Sequence, residues 1–187
     1  MTAERFPKRF YFGDIILKKI STKSDDAVIA EIFNLYRNNR KHLFYWHHGL
    51  KQLSFMNTAD MVNRIKKCRL KCYTICMSGK IIGCIEITRL ERDSDNTTYR
   101  NLSFWVDKNN VRKGIMNNCL KALENHFVAQ DIDALYAEVN TENLPSINLL
   151  KKLGYKNRSA SFLLSDDGAL LCNTYSFQKS VNQRNVA

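Results

Sequence analysis

The side-chain pattern changes period between Asn101 and Gly114, and that change restricts the folds open to the chain. Leu102, Phe104 and Val106 alternate with Ser103, Trp105 and Asp107, the two-residue repeat of a strand. A polar break follows. After Gly114, Ile115, Cys119, Ala122, Leu123, His126 and Phe127 recur at three- and four-residue steps, which predicts a helix to about Ala129. A strand feeding a basic turn, a glycine and a helix forms an anion cradle. The first N–H groups of a helix lack intrahelical partners, and the helix dipole favours negative charge there. Arg112 and Lys113 add mobile positive charge, and Gly114 lets a ligand come close to the backbone. An ordinary helix start would read the same way, so the rest of the chain has to decide.

Length admits one domain with a sizeable core: 187 residues, 44% of them hydrophobic, with only two prolines. No apolar run approaches the roughly 20 residues that span a bilayer, and no apolar signal core follows the charged start, so the expected location is the cytoplasm. The cysteines, Cys68, Cys72, Cys76, Cys84, Cys119 and Cys172, show neither Cys-x-x-Cys nor zinc-finger spacing and read as reduced, mostly buried thiols. The four-residue spacing of Cys68, Cys72 and Cys76 would line one face of a helix, but Tyr73-Thr74-Ile75 argues for a strand. Net charge is +11. Arg37, Arg40, Lys41, Lys51, Arg64, Lys66, Lys67, Arg69 and Lys71 face Asp60 alone in their segment. Such a field attracts an acidic protein, RNA or cofactor phosphates, or is simply a solvated basic face.

In chain order, Tyr11 to Lys18 reads as a first strand. Asp25 or Asp26 caps a helix to about Asn38 with Ile29, Ile32, Phe33 and Tyr36 inward. Asn39 to Gly49 is dense in aromatic and polar residues, and Thr58 starts a short helix carrying Met61, Val62 and Ile65. Cys72–Met77 and Ile81–Thr88 are strands around the turn Ser78-Gly79-Lys80. Leu90 to Thr97 reads as a charged loop, and Ala134 to Asn140 as a strand. Asn143 caps a helix with Pro145 in its first turn and Gly154 beyond its end. Tyr155–Leu164 and Ala169–Gln178 form a closing hairpin, followed by a frayed tail. The order predicts one mixed α/β domain over residues 1–187, with its core at about 11–179.

The ordered motifs resemble the GNAT acyltransferases, and among them the RimJ/RimL-like protein N-acetyltransferases. Asn39-Arg40-Lys41-His42-Leu43 with Trp46 resembles that family's N-R-x-H-L…W segment. Ile82-Gly83 resembles its I-G step, and Phe104-Trp105 its Y-W. Val111-Arg112-Lys113-Gly114-Ile115-Met116 lies where the family writes its pyrophosphate loop. Asn140 to Ser146, followed by Leu153-Gly154-Tyr155, is similar to N-x-x-N-x-x-S…L-G-F, and Asp167-Gly168 with Tyr175-Ser176 to the D-G…Y-S ending. The chain departs from that pattern at Val111, Met116, Asn101 and Arg158. At the last two the family often carries a glutamate, so both expected carboxylate bases are missing from their places.

The resemblance implies a GNAT fold and an acetyl-CoA-dependent N-acetyltransferase that uses no metal, and His42, His47 and His48 show no third ligand. It implies that Phe104, Trp105, Val106, Val111, Arg112, Lys113, Gly114, Ile115, Met116 and Asn143 bind the cofactor, with Ser146 as acid toward the CoA sulfur. Asn143 and Ser146 also read as a cap and a first-turn residue. Arg40 and Trp46 fall to the acceptor side, where Phe44, Tyr45 and Trp46 either wall the site or fill the core between helices. Glu86 and Glu138 read as a solvated strand face, with a water-relayed base as the alternative. The implied acceptor is a protein α-amine, with ribosomal proteins as precedent and a homodimer left open. The dense positive charge is expected to favour the neutral amine. A small-molecule amine acetyltransferase and a non-catalytic CoA-binding or RNA-associated module are the rival readings.

Overall fold

In the computed structural model, which describes residues 6–20, 26–44, 71–128, 130, 132–164 and 170–181, one mixed sheet carries helices on both faces. Its strands are β1 (Arg9–Phe12), β2 (Ile15–Lys19), β3 (Lys71–Met77), β4 (Lys80–Ile87), β5 (Glu91–Arg92), β6 (Thr98–Val106), β7 (Ala134–Asn140), β8 (Lys156–Leu164) and β9 (Leu170–Ser180). The described helices are α1 (Asp26–Asn38), α2 (Arg40–Phe44), α3 (Ile115–Val128) and α4 (Leu144–Lys152). The strand order is β1-β2-β3-β4-β6-β7-β9-β8, with β5 paired to β6. The β6–β7 pair is parallel and the other pairs antiparallel.

Each element follows from its local pattern. Ile29, Ile32, Phe33 and Tyr36 put one stripe of α1 inward, where it meets Cys72, Cys84 and Trp105 on the sheet. Ile115, Cys119, Leu120, Leu123 and Phe127 form the stripe of α3 on the opposite face, and Ile147, Leu150 and Leu153 of the α4 region join them. Asn143 caps α4 by accepting from the Ser146 N–H at 3.2 Å. Gly154, at φ +88, ends it. The β3–β4 turn has positive φ at both Ser78 and Gly79, as a two-residue hairpin turn requires.

Two sequence expectations need correction. Tyr11 to Lys18 is not one strand: Gly13 at φ +59 reverses the chain, and β1 and β2 form a hairpin pairing Phe12 with Ile15. The charged stretch Leu90 to Thr97 is not all loop, because Glu91 and Arg92 pair with Tyr99 and Thr98. Cys72 and Cys76 lie on strand β3, as Tyr73-Thr74-Ile75 argued, so the helical face that would have joined them does not form. The expected Thr58 helix and most of the basic segment lie outside the described residues. Of that segment, Arg37 stands over the Phe33 ring and Lys71 over the Phe6 ring. None of the described helices is long and apolar enough to cross a membrane.

Under the α3 side of the sheet, Arg100 is fully buried, stacks 5.0 Å above the Phe6 ring and donates to the Thr88 carbonyl. His126 packs against Phe6 and Phe10 beside it. Burial, and then the Arg100 charge, hold its pKa below the ordinary value. A depressed folded-state pKa means that on acidification the unfolded chain takes the proton first, from about pH 6.5 downward. Stability is therefore expected to fall as pH drops below about 6.5, until the folded-state pKa is reached. His126→Gln should remove that part of the dependence. Urea midpoints for the two proteins between neutral pH and pH 5 check this, and parallel curves would reject it.

Candidate active site

The site is built where β6 and β7 part. Their ladder comprises Tyr99↔Ala134, Arg100↔Leu135 and Asn101↔Tyr136 and goes no further. Asp133 clamps this closed end, accepting from the Thr98 N–H at 2.8 Å and the Thr98 hydroxyl at 2.6 Å. Beyond Asn101, β6 stays on β4, from Leu102↔Ile87 to Val106↔Gly83, while β7 pairs with β9 to Asn140↔Thr174. The strands therefore diverge in a V.

Backbone alternation decides what faces the gap. The Asn101 N–H donates to the Thr88 hydroxyl and the Asp107 N–H to the Ile82 carbonyl, both on the β4 side. Strand alternation then turns the backbone polar groups of Phe104 and Val106 toward the gap. On the α1 face of the sheet the V opens into a cleft of about 340 Å³ lined by Glu86, Thr88, Asn101, Leu102, Ser103 and Glu138. Glu86 stands opposite Ser103 on the paired strand.

The loop after β6 forms a second feature. Asp107 leads a single 3-10 turn, Lys108–Asn110, and the chain reaches α3 through Arg112 at φ +61 and Gly114 at φ +74. The first N–H groups of α3 face this loop without helical partners. A Cβ built at Gly114 would meet nothing within 4 Å. Val111, Arg112 and Lys113 are exposed, and the Lys113 ammonium reaches Asn110 Oδ1 at 3.0 Å. An anion thus finds a helix N-terminus, open space and two cations together, so the residues fit a pyrophosphate.

The expected site residues divide by what they offer. Ile115 and Met116 are buried in the core, so only their backbones are available to a ligand. The Trp105 ring packs on Tyr36 at 6.2 Å between β6 and α1, and the same alternation turns its backbone polar groups to β4, so it offers neither to the V. Asn143 is buried as the α4 cap and Ser146 is half-buried in the first turn. Asn101 lines the cleft. Arg158 is exposed on β8, where it donates to Gln178, away from the cleft lining. Arg40 is exposed at the start of α2, and Trp46 lies outside the described residues.

Sequence reasoning missed three features. Glu86 and Glu138 are not two unrelated surface residues, because strand pairing puts both in one cleft. Asn39, 2% exposed, holds the loop by accepting from the Lys108 N–H at 2.9 Å while donating to the Leu35 carbonyl. Cys72 and Cys84 bring their sulfurs within 3.0 Å. In the sequence, only the two-residue step Cys84-Ile85-Glu86 hinted at a shared strand face.

Residues 29–155 match the model of the Acetyltransferase (GNAT) family. The chain belongs to that family and is an acetyltransferase by fold and family. Among solved structures it is similar to RimL, the ribosomal L7/L12 alpha-N-protein acetyltransferase, in complex with coenzyme A. That match has a TM-score of 0.73 at 12% identity, over 90% of this chain and 95% of that one. It is also similar to ribosomal-protein-S5-alanine acetyltransferase from Vibrio fischeri, with TM-score 0.70 at 20% identity over 94% and 97%. A third likeness is to the microcin C7 self-immunity acetyltransferase in complex with acetyl-CoA and AMP, with TM-score 0.73 at 16% identity over 90% and 93%. Comparison with curated proteins by sequence finds no match.

Proposed function

We propose that the protein transfers an acetyl group from acetyl-CoA to an α-amine at the amino terminus of a protein, with a ribosomal protein as the acceptor class. The observation that carries this reading is the V between β6 and β7, with backbone donors on its edge, an anion cradle at one end and a carboxylate-lined cleft on the α1 face. Bound acetyl-CoA would supply the acyl group and the leaving thiol. The Val111–Met116 loop would hold its pyrophosphate, and the N–H groups of Phe104 and Val106 would polarise the acyl carbonyl. Ser146, in the first turn of α4, would give a proton to the leaving sulfur near that helix's positive end.

Most of the basic segment lies outside the described residues, so the acceptor's charge is read from the described cleft. Dense positive charge was expected to favour the neutral amine, yet the described lining carries two carboxylates and no cation. Opposite charge favours the ammonium form on binding, so the proton needs somewhere to go. Glu86, half-buried on β4, takes it through water, and the exposed Glu138 on β7 draws the ammonium in.

The choice of α-amine over lysine rests on the cost of losing that proton. An α-amine titrates at about 7.7–8.0 and a lysine at about 10.4, a gap of about 2.5 units or about 3.4 kcal/mol. Peptides with free N-termini are therefore expected to be acetylated at neutral pH far faster than N-terminally blocked peptides carrying lysine. Their rate should climb with pH to a plateau near the acceptor's own pKa. Ser146→Ala should be slower at every pH without moving that midpoint, and Glu86→Gln should lose about 10²-fold or more in kcat, the usual worth of general base catalysis. Mass spectrometry of reacted peptides, with small amines as competitors, measures all of these. Efficient acetylation of the blocked peptides or of a small amine alone would overturn the acceptor assignment.

A further inference from the structure

Cys72 and Cys84 form with Glu86 a cluster whose two thiols acetyl transfer does not use. Register fixes their arrangement. Cys72 pairs directly with Glu86 across β3 and β4, and Cys84 lies two residues from Glu86 on β4. All three therefore project from the same face of the hairpin, the face beneath α1. Both thiols are buried with Ile29, Ile32 and Phe33. The two sulfurs are 3.0 Å apart, and the two sulfurs and a Glu86 oxygen all lie within 4.8 Å of one another. Glu86 also lines the cleft, so the cluster has an entrance from solvent.

From this geometry we infer a binding site for one thiophilic divalent cation of the zinc type, held by Cys72 Sγ, Cys84 Sγ and the Glu86 carboxylate with its fourth position toward the cleft. The donor set decides the class of ion. Two sulfurs and one carboxylate suit zinc or cadmium and are poor ligands for magnesium or calcium. Two thiolates at about 2.3 Å on a tetrahedral ion stand about 3.8 Å apart, so small χ1 rotations widen the present pair enough to admit it. Hydrogen bonding to Cys84, burial and the nearby Glu86 charge all push the Cys72 thiol well above its ordinary pKa. Binding is then one cation plus two thiols and one carboxylate giving the three-ligand complex, with two protons released to solvent. On the reading of Glu86 as the base, the bound ion also removes that base and blocks acetyl transfer.

The test uses the reduced full-length protein and cadmium ion as the probe, so its readout does not depend on acetyl transfer. Titration should raise a thiolate-to-cadmium ultraviolet band that saturates at one ion per chain, with about two protons released per ion. Cadmium NMR of the unaltered protein should show a resonance in the range of mixed sulfur and oxygen ligation, and excess magnesium should not reduce it. Cys72→Ser and Cys84→Ser should each abolish the stoichiometric band, Glu86→Gln should weaken binding, and Cys76→Ser should leave it intact. Absence of a saturable band in the unaltered protein overturns the site. So does a band that survives when Cys72 and Cys84 are both replaced in a protein with native circular dichroism.

Discussion

Gly114→Glu is expected to fold and to lose binding of coenzyme A. The residue sits at φ +74, where an L side chain costs about 1–2 kcal/mol. That is small against the roughly 5–15 kcal/mol of a typical domain. Nothing in the chain lies within 4 Å of a Cβ placed there, so the added side chain meets no protein atom at its root. What it does meet is the space before the first N–H groups of α3. A carboxylate there fills the cradle and repels the phosphates that Arg112 and Lys113 would attract. Gly114→Ala carries the backbone cost without the charge and should weaken binding less. Calorimetric titration with coenzyme A measures both, and an unchanged affinity in folded Gly114→Glu would remove the phosphate assignment.

Gly83→Val acts on the fold itself. A Cβ at Gly83 would stand 2.4 Å from the Trp105 carbonyl oxygen and 3.0 Å from the Val106 Cα. Both are backbone atoms of the paired strand, so no side chain can swing aside. Ile82 is the extra residue where the β3–β4 register shifts, and its carbonyl takes the Asp107 N–H at 2.7 Å. Relief would have to come from prising β4 off β6 at the mouth of the V. Overpacking ordinarily costs about 1–3 kcal/mol, and against rigid backbone the loss should reach about 3 kcal/mol or more. Urea unfolding followed by circular dichroism reads this. A stability within about 0.5 kcal/mol of the unaltered protein, the range of ordinary surface changes, would show that the strand separates more easily than its geometry implies.

How much of this was legible in the sequence depended on how local the cause was. The stripe Ile29, Ile32, Phe33, Tyr36 and the cap Asn143 are properties of one turn or two, and α1 and α4 were read with nearly their observed limits. The alternation through Phe104 located β6, although its first residues, Thr98 to Arg100, are fixed by Asp133 and by the buried Arg100 rather than by pattern. Strand β5 was missed because two residues carry no period of their own. The V could not be read from spacing at all, since it exists only because β7 returns parallel to β6 after a helix. For the same reason Glu86 and Glu138, far apart in sequence, gave no sign of sharing a cleft. Asn39 was noticed as part of a motif, but its role in holding Lys108 depends on a partner 69 positions away.

The three residue pairs that join β6 to β7 have a mechanical meaning. They fasten the two halves of the sheet at one end only, as pages are held by stitching at the head of the spine. Below the unstitched end, the halves are kept at their distance by the apolar cluster that Leu102 of one half and Ala137 and Val139 of the other share with Leu120, Leu123 and Phe127. The spacing of the jaws is therefore set by hydrocarbon volume, which close-packed interiors hold to within a methylene. What fits between them is decided as much by those buried side chains, none of which a ligand would touch, as by the polar groups along the rim.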